Sequence, residues 1–365
     1  MKRISIFLLL VALFPASAYC AGLYGAEAYA GKDPIGGGAG YTKIVDRSKA
    51  AFIVSTADEL KNALGKAKPG EIIYVTDNSV IDMTGQDHVV IPGGITIAGN
   101  RGVDGSLGPI IKTTNLECYP LFITMGEDVR LTGIRFQGPD PEIRKEAGAK
   151  LLSCCITTTK PGLEVDNCEM WGWSFAAIAL TNAGTGHKIH HNYIHHCRRQ
   201  GLGYGVCLGR SQADIIANRF VDNRHDIAGT GREGTSYRAC YNISEAIDPP
   251  ISHAFDMHGN QESRKPGEVV PNFAGDSIEI FNNTFKSKEP RVYIAIRGEP
   301  RYGITIHHNI YENASIGARL KPPCANAIIS DDLFKSPPTT AYYLFESDGN
   351  MLNGKQMKAG KIKRL

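Results

Sequence analysis

The stretch of this chain densest in reactive side chains is Ser252-His-Ala-Phe-Asp-Met-His-Gly259, which brings His253, Asp256 and His258 close together. Histidine exchanges protons near neutral pH, and a nearby carboxylate fixes which ring nitrogen carries the proton. Two later segments, Tyr293-Ile-Ala-Ile-Arg297 and Ser315-Ile-Gly-Ala-Arg319, each end on an arginine. A guanidinium stays charged and binds carboxylates. One reaction uses all of these groups: removal of a proton from the carbon next to a carboxylate, followed by expulsion of an oxygen leaving group. That proton is barely acidic until the neighbouring charge is neutralised, a task for cationic groups. Arg297 and Arg319 fit the neutralising role, His258 the base, and Asp256 the group that orients the imidazole. Tyr237 or His253 fits the acid that protonates the leaving oxygen.

These side chains need strands to align them. Asp226-Ile-Ala-Gly-Thr230, Ala254-Phe-Asp-Met-His258 and the two arginine segments read as equivalent strands. Ile227, Phe255, Ile294 and Ile316 then form one inward apolar column, joined on the same face by Met257 and Ile296. Side chains alternate along a strand, so Asp256, His258, Arg297 and Arg319 point outward. His258, Arg297 and Arg319 are expected in one file, neighbours about 5 Å apart. Like charges so stacked repel and call for an anionic partner. His225 falls beside His253 one coil away. Arg232, Tyr237 and Arg238 lie in a glycine-flanked loop leading to the next coil, where loops commonly supply binding groups. Arg319, His225, Arg232, Arg238 and Lys321 make up the expected ligand-contacting set.

A repeat supplies those strands. Asn192, Asn218, Asn242, Asn283 and Asn309 recur in similar short strands, such as Lys188-Ile-His-His-Asn-Tyr-Ile194 and Thr305-Ile-His-His-Asn-Ile-Tyr311, at separations of 26, 24, 41 and 26 residues. Cys168 and Asp332 extend the same slot at either end. Such a period marks a solenoid, and the 41-residue interval implies a loop inserted around Gln261–Gly267. Asparagines stacked one strand spacing apart, about 4.8 Å, can bond one to the next as a ladder.

The rest of the chain sets boundaries on function. Lys2 and Arg3, the apolar run Ile4–Phe14 and small residues to Ala21 read as a secretory signal over residues 1–20, leaving 21–365 as one domain without a membrane span. A net charge of only +3 argues against nucleic acid as a partner. Forty glycines suit a chain with frequent turns. Of nine cysteines, eight lie beyond residue 20, and disulfides and buried thiols both remain open. No Cys-x-x-Cys pair exists, so no structural zinc is expected. Thr56-Ala-Asp-Glu59 is a capping box, with Leu60, Ala63, Leu64 and Ala67 at helical spacing before Pro69-Gly70. The histidines around Asn192 and Asn309 alternate in direction. They read as stacked turn residues rather than one metal site.

Ala26–Gly31, Gly36–Gly40, Val54–Leu60, the strand ending at Val75 and Ile91–Gly99, taken with the repeats, resemble the pectate-lyase-like right-handed parallel β-helices over roughly Ala26–Phe334. The resemblance implies an all-β, single-stranded parallel β-helix. An N-terminal cap would span about 50–75, coils about 76–335, and a tail 336–365. It also implies carbohydrate chemistry; with the signal segment and the cationic file, the expectation is a secreted or periplasmic monomer acting on an acidic, uronate-containing polysaccharide by β-elimination. The family's Trp-Ile-Asp-His and Arg-x-Pro-x-x-Arg motifs are not intact; Arg297-Gly-Glu-Pro-Arg301 only echoes the second. Calcium is therefore left open and no metal ligand is assigned. Two other readings stand beside the lyase. One is a glycoside hydrolase using Asp226 and Asp256, and the other a non-catalytic sugar-binding solenoid.

Overall fold

The computed structural model describes residues 24–140, 151–250, 252–260, 272–320, 327–335, 340–344 and 363–364. Its strands are mostly three to five residues long, and each pairs in parallel with its counterparts one coil earlier and one coil later. Among the described residues they form two continuous sheets, of 19 and 11 strands. The larger sheet bends round a corner, because strands such as Ala176–His190 and Tyr204–Ile216 run through it. The coil therefore has three faces, and the chain is a right-handed parallel β-helix, as expected. None of the described helices is long and apolar enough to cross a membrane.

Alternation fills the interior. Ile178, Val206, Ile227, Phe255, Ile294 and Ala318 stand in register as one inward column. The last position corrects the sequence reading, which placed Ile316 there. Ile316 pairs with Val292, two residues before Ile294; an irregularity there, with Arg291 on Ala314 but Val292 on Ile316, accounts for one residue of the offset. Such bulges add a residue without changing composition, so no hydrophobic pattern announces them. Helix α1, Ala57–Lys66, closes one end of the core with Leu60, Ala63 and Leu64. Thr56 and Glu59 form the reciprocal capping box.

The asparagine ladder is present from end to end. Asn192, Asn218, Asn242 and Asn283 each donate backbone N–H and side-chain Nδ2–H to Oδ1 of the next asparagine, at 2.9–3.0 Å. Asn309 does the same to Asp332, and Cys168 donates its N–H to Asn192. The residue before each rung is left-handed: His191, Ala217, Tyr241, Asn282, His308 and Asp331 have φ between 50° and 58°. This kink breaks alternation, so adjacent rings meet: His190 with His191 at 2.9 Å and His307 with His308 at 2.8 Å, Nδ1 to Nδ1.

Residues 24–43 run back along this corner, a feature the repeat pattern does not encode. Gly25 donates to the His308 carbonyl, Gly36 to that of Ala217 and Gly38 to Asn167 Oδ1. Tyr29 bonds His191 at 2.8 Å, and Tyr41 donates to the buried Asp166 at 2.7 Å. Gly37 has φ +66°, and a Cβ there would lie 2.3 Å from the His191 carbonyl, so only glycine passes. The seven described cysteines are free thiols, six of them buried. Residues 1–20, the Gln261–Gly267 insertion, Lys321, Cys324 and most of the tail lie outside the described residues.

Candidate active site

One outward column is built almost entirely of small residues. Ala179, Cys207, Ala228, Asp256, Ala295 and Arg319 follow one another in register across successive coils. Small side chains make a floor, and longer neighbours on either side make walls. On one side Tyr204 pairs with His225, and their rings stack 5.7 Å apart; His225 meets His253 at 4.2 Å. On the other side, Thr230, His258 and Arg297 continue their ladders beyond the core column.

Asp256 is the only carboxylate on that floor, and it is fully buried beneath its neighbours. Arg297 grips it through Nε at 3.1 Å and Nη2 at 2.7 Å. His258 Nε2 lies 2.9 Å from Oδ2. His253 Nε2 lies 3.0 Å from Oδ1, but off the line of a hydrogen bond. His225 Nε2 lies 3.9 Å from Oδ2, also without a hydrogen-bond partner. The other nitrogen of His225 lies 2.7 Å from the His253 carbonyl and donates to it, because a carbonyl can only accept. The lone pair of His225 Nε2 thus faces a carboxylate.

Electrostatics follow from this crowding. Burial alone would raise the pKa of Asp256, but the contacts with His253 and His258 outweigh it and hold the carboxyl well below its usual range. Burial, with His253 adding to it, drives His225 well below the ordinary imidazole value. His253 is lowered too, by burial against the opposing pull of Asp256. Both rings are neutral at pH 7. Buried Arg291 braces the segment, donating from Nε to the Ser252 carbonyl at 2.6 Å and from Nη2 to that of Arg224 at 3.3 Å.

Two hollows flank the cluster. One, of about 380 Å³, is lined by Phe175, Tyr204, Cys207, Ala228, Thr230, Arg232 and His258. The other, of about 280 Å³, is lined by Ser252, His253, Arg291, Ser315 and Arg319. A third, of about 250 Å³, lies elsewhere and holds Lys188, Asp214, Arg238 and Glu279. There Arg238 pairs with Asp214 at 2.9 Å.

The expected residues therefore divide. His225, His253, Asp256, His258 and Arg297 come together, Arg232 lines the adjoining hollow, and Arg319 borders the other. Arg319 stands in register with Ala295 and Asp256, not with Arg297, by the same two-residue offset. Among the described residues it forms no ion pair. Tyr237 and Arg238 are not in a loop; they belong to the strand Ser236–Cys240 on the next face. Tyr237 points into the core, where its hydroxyl has no partner, so it cannot reach a leaving group on the wall. Arg238 faces the third hollow. Asp226 also turns inward: Asn223 and Ser244 donate to it, and Ser244 stands in register with buried Phe220 and Phe285. Lys321 lies outside the described residues. Tyr204, Phe175 and Arg291 were missed; Tyr204 starts the strand one coil before His225, and Arg291 starts the strand that continues into the named Tyr293 segment, and those placements were the available signal.

Calcium, which takes six to eight oxygen ligands, does not suit this cluster of one carboxylate, three imidazoles and a guanidinium. A second group, Glu164, Asp166 and His190, is bound up in the corner: Asp166 accepts from Arg130, Tyr41 and Thr132.

No protein-family model matches the chain, and no curated protein matches it. Among solved structures it is similar to an alginate lyase of the PL6 family, AlyGC, at 14% identity and a TM-score of 0.36 over 86% of this chain. A single-residue variant of that lyase gives 13% and 0.28. The chain spans about half, 56%, of the length of those two lyases.

Proposed function

We infer that this protein is an exported polysaccharide lyase that cleaves a uronate-containing glycan by β-elimination. The observation that carries the reading is the single buried carboxylate, Asp256, holding His258 and Arg297 at the edge of a groove floored by small residues. The sugar chain lies along that floor, between the Tyr204 side and the Arg319 side. Arg297 neutralises Asp256, so the positive charge of Arg319 is available to the substrate carboxylate. His258, held against Asp256 through Nε2, is the imidazole that takes the proton beside that carboxylate. With Tyr237 in the core, the proton taken by His258 is the one returned to the leaving oxygen on the same face. The hydrolase reading needs two facing carboxylates, and the inward turn of Asp226 removes one of them.

The test is incubation of the full chain with alginate, pectate and glycosaminoglycans. Elimination leaves a double bond conjugated to the carboxylate, so ultraviolet absorbance grows with each cut. New reducing ends without absorbance would replace the lyase with a hydrolase. Binding with no new ends on any polymer would leave a sugar-binding solenoid.

A further inference from the structure

The unfinished contacts on the His225 side of Asp256 point to a second component. We propose that His225 Nε2, His253 Nε2 and the Asp256 carboxylate bind a first-row divalent metal ion of the nitrogen-accepting class, zinc foremost. The donor atoms all lie within 4.8 Å of one another. An ion about 2.0–2.2 Å from each ligand would separate tetrahedral ligands by roughly 3.4 Å. His253 Nε2 lies 3.0 Å from Oδ1, a little inside that value, and His225 Nε2 lies 3.9 Å from the neighbouring Oδ2, a little outside it.

Three features suit a cation there better than a proton. Both Nε2 atoms are buried and make no hydrogen bond. The His225 ring is locked by its Nδ1–H to the His253 carbonyl, the outer contact that commonly orients a metal-binding imidazole. The carboxylate also has one place left. Of its roughly four lone pairs, Arg297 Nε takes one on Oδ1, while Arg297 Nη2 and His258 take two on Oδ2. The remaining one, on Oδ1, lies on the side of His253. Three protein ligands leave a fourth position open. If the lyase reading holds, the substrate carboxylate fills it; ion binding itself does not depend on that reading.

The experiment titrates the metal-free full chain with zinc chloride, and with cobalt chloride as a coloured reporter, without any sugar. One ion per chain is expected. X-ray absorption of the zinc-loaded wild type should show two imidazoles and a carboxylate oxygen. His225→Gln, checked for folding by circular dichroism, should weaken binding at least about 10-fold, while His195→Gln, in the strand Tyr193–His195 of the smaller sheet, leaves it unchanged. Failure to retain zinc at micromolar concentration would overturn the site. So would a shell of three or more imidazoles or of thiolate sulfur, or unchanged affinity in folded His225→Gln. Because the wild-type spectrum needs no variant, a variant that fails to fold does not decide the outcome. Elimination without bound metal would remove the ion from the reaction but not from the fold.

Discussion

Two stacks of polar side chains run along this β-helix, and they end differently. At the corner, every asparagine of the ladder both donates to the next rung and accepts from the one before. On the outer wall, His225 and His253 bring nitrogens up to a buried carboxylate and make no hydrogen bond with them. Both stacks are buried, and both are built by the same coil period. Buried polar groups without partners are costly, so a protein keeps them where something else completes them. The ladder is finished by the fold, whereas the wall is finished by a ligand.

The widest separation between the two should come from Asp256→Asn. Asparagine keeps the shape but loses the charge that holds Arg297 and fixes His258. Lyase activity of the folded protein is expected to fall by about 10³-fold, read as the rate of unsaturated product, with folding checked by circular dichroism. Activity within tenfold of wild type would show that the wall, like the ladder, is only structural.

Asn242→Ala should do the opposite. Asn242 donates to Asn283 and to the Ile215 carbonyl and accepts two bonds from Asn218. Alanine leaves several buried groups unsatisfied, each worth about 1–3 kcal/mol. A loss on the order of 3 kcal/mol in urea unfolding is expected, with kcat of the remaining folded protein unchanged.

A third effect distinguishes the corner from the wall by pH. Burial, reinforced by His190, drives the pKa of His191 to about 4, so the folded state holds this ring neutral against Tyr29. The unfolded state takes up its proton near pH 6.5, before the folded one does. Stability is then full above that pH and falls as the solution is acidified toward 4. The loss is on the order of 2 kcal/mol at pH 5. Hydrogen exchange should show residues 24–43 releasing first. His191→Gln, which cannot titrate, should flatten the dependence.

The ladder could be read from the sequence because its signal is one residue type at one period, and nothing between Asn192 and Asn309 disturbs the corner. The clustering of His253, Asp256, His258 and Arg297 was legible for the same reason: strand parity is preserved even where spacing slips. Arg319 kept its face but not its rung: it pairs with Ala295, two residues from Arg297, and a slip of two leaves strand parity unchanged and the pattern silent. Tyr237 failed because its segment, read as a loop, is the strand Ser236–Cys240, whose alternation turns it inward; Asp226 failed for another reason. At the corners between faces, backbone turns override alternation, so a residue beside an outward histidine can enter the core. The returning N-terminal segment was illegible as well, since its contacts lie up to 283 residues away along the chain: Gly25 meets His308.

The smallest effect should mark where the groove continues past the reacting groups. Tyr204 lies against His225 on one side and Phe175 on the other, and Phe175 packs edge-on against half-exposed Tyr119. These rings rise beside the floor of alanine and cysteine, where a sugar ring has an apolar face to rest on. Phe175→Ala removes one such surface without touching Asp256 or any group bonded to it. KM for a long polymer should rise about 10-fold, with kcat nearly constant, because the lost contact is made equally before and during reaction. A short oligomer that does not reach Phe175 should be cleaved as before. If KM for long and short substrates rose together, Phe175 would be supporting the His225 wall instead of extending the binding surface, and the groove would end at Tyr204.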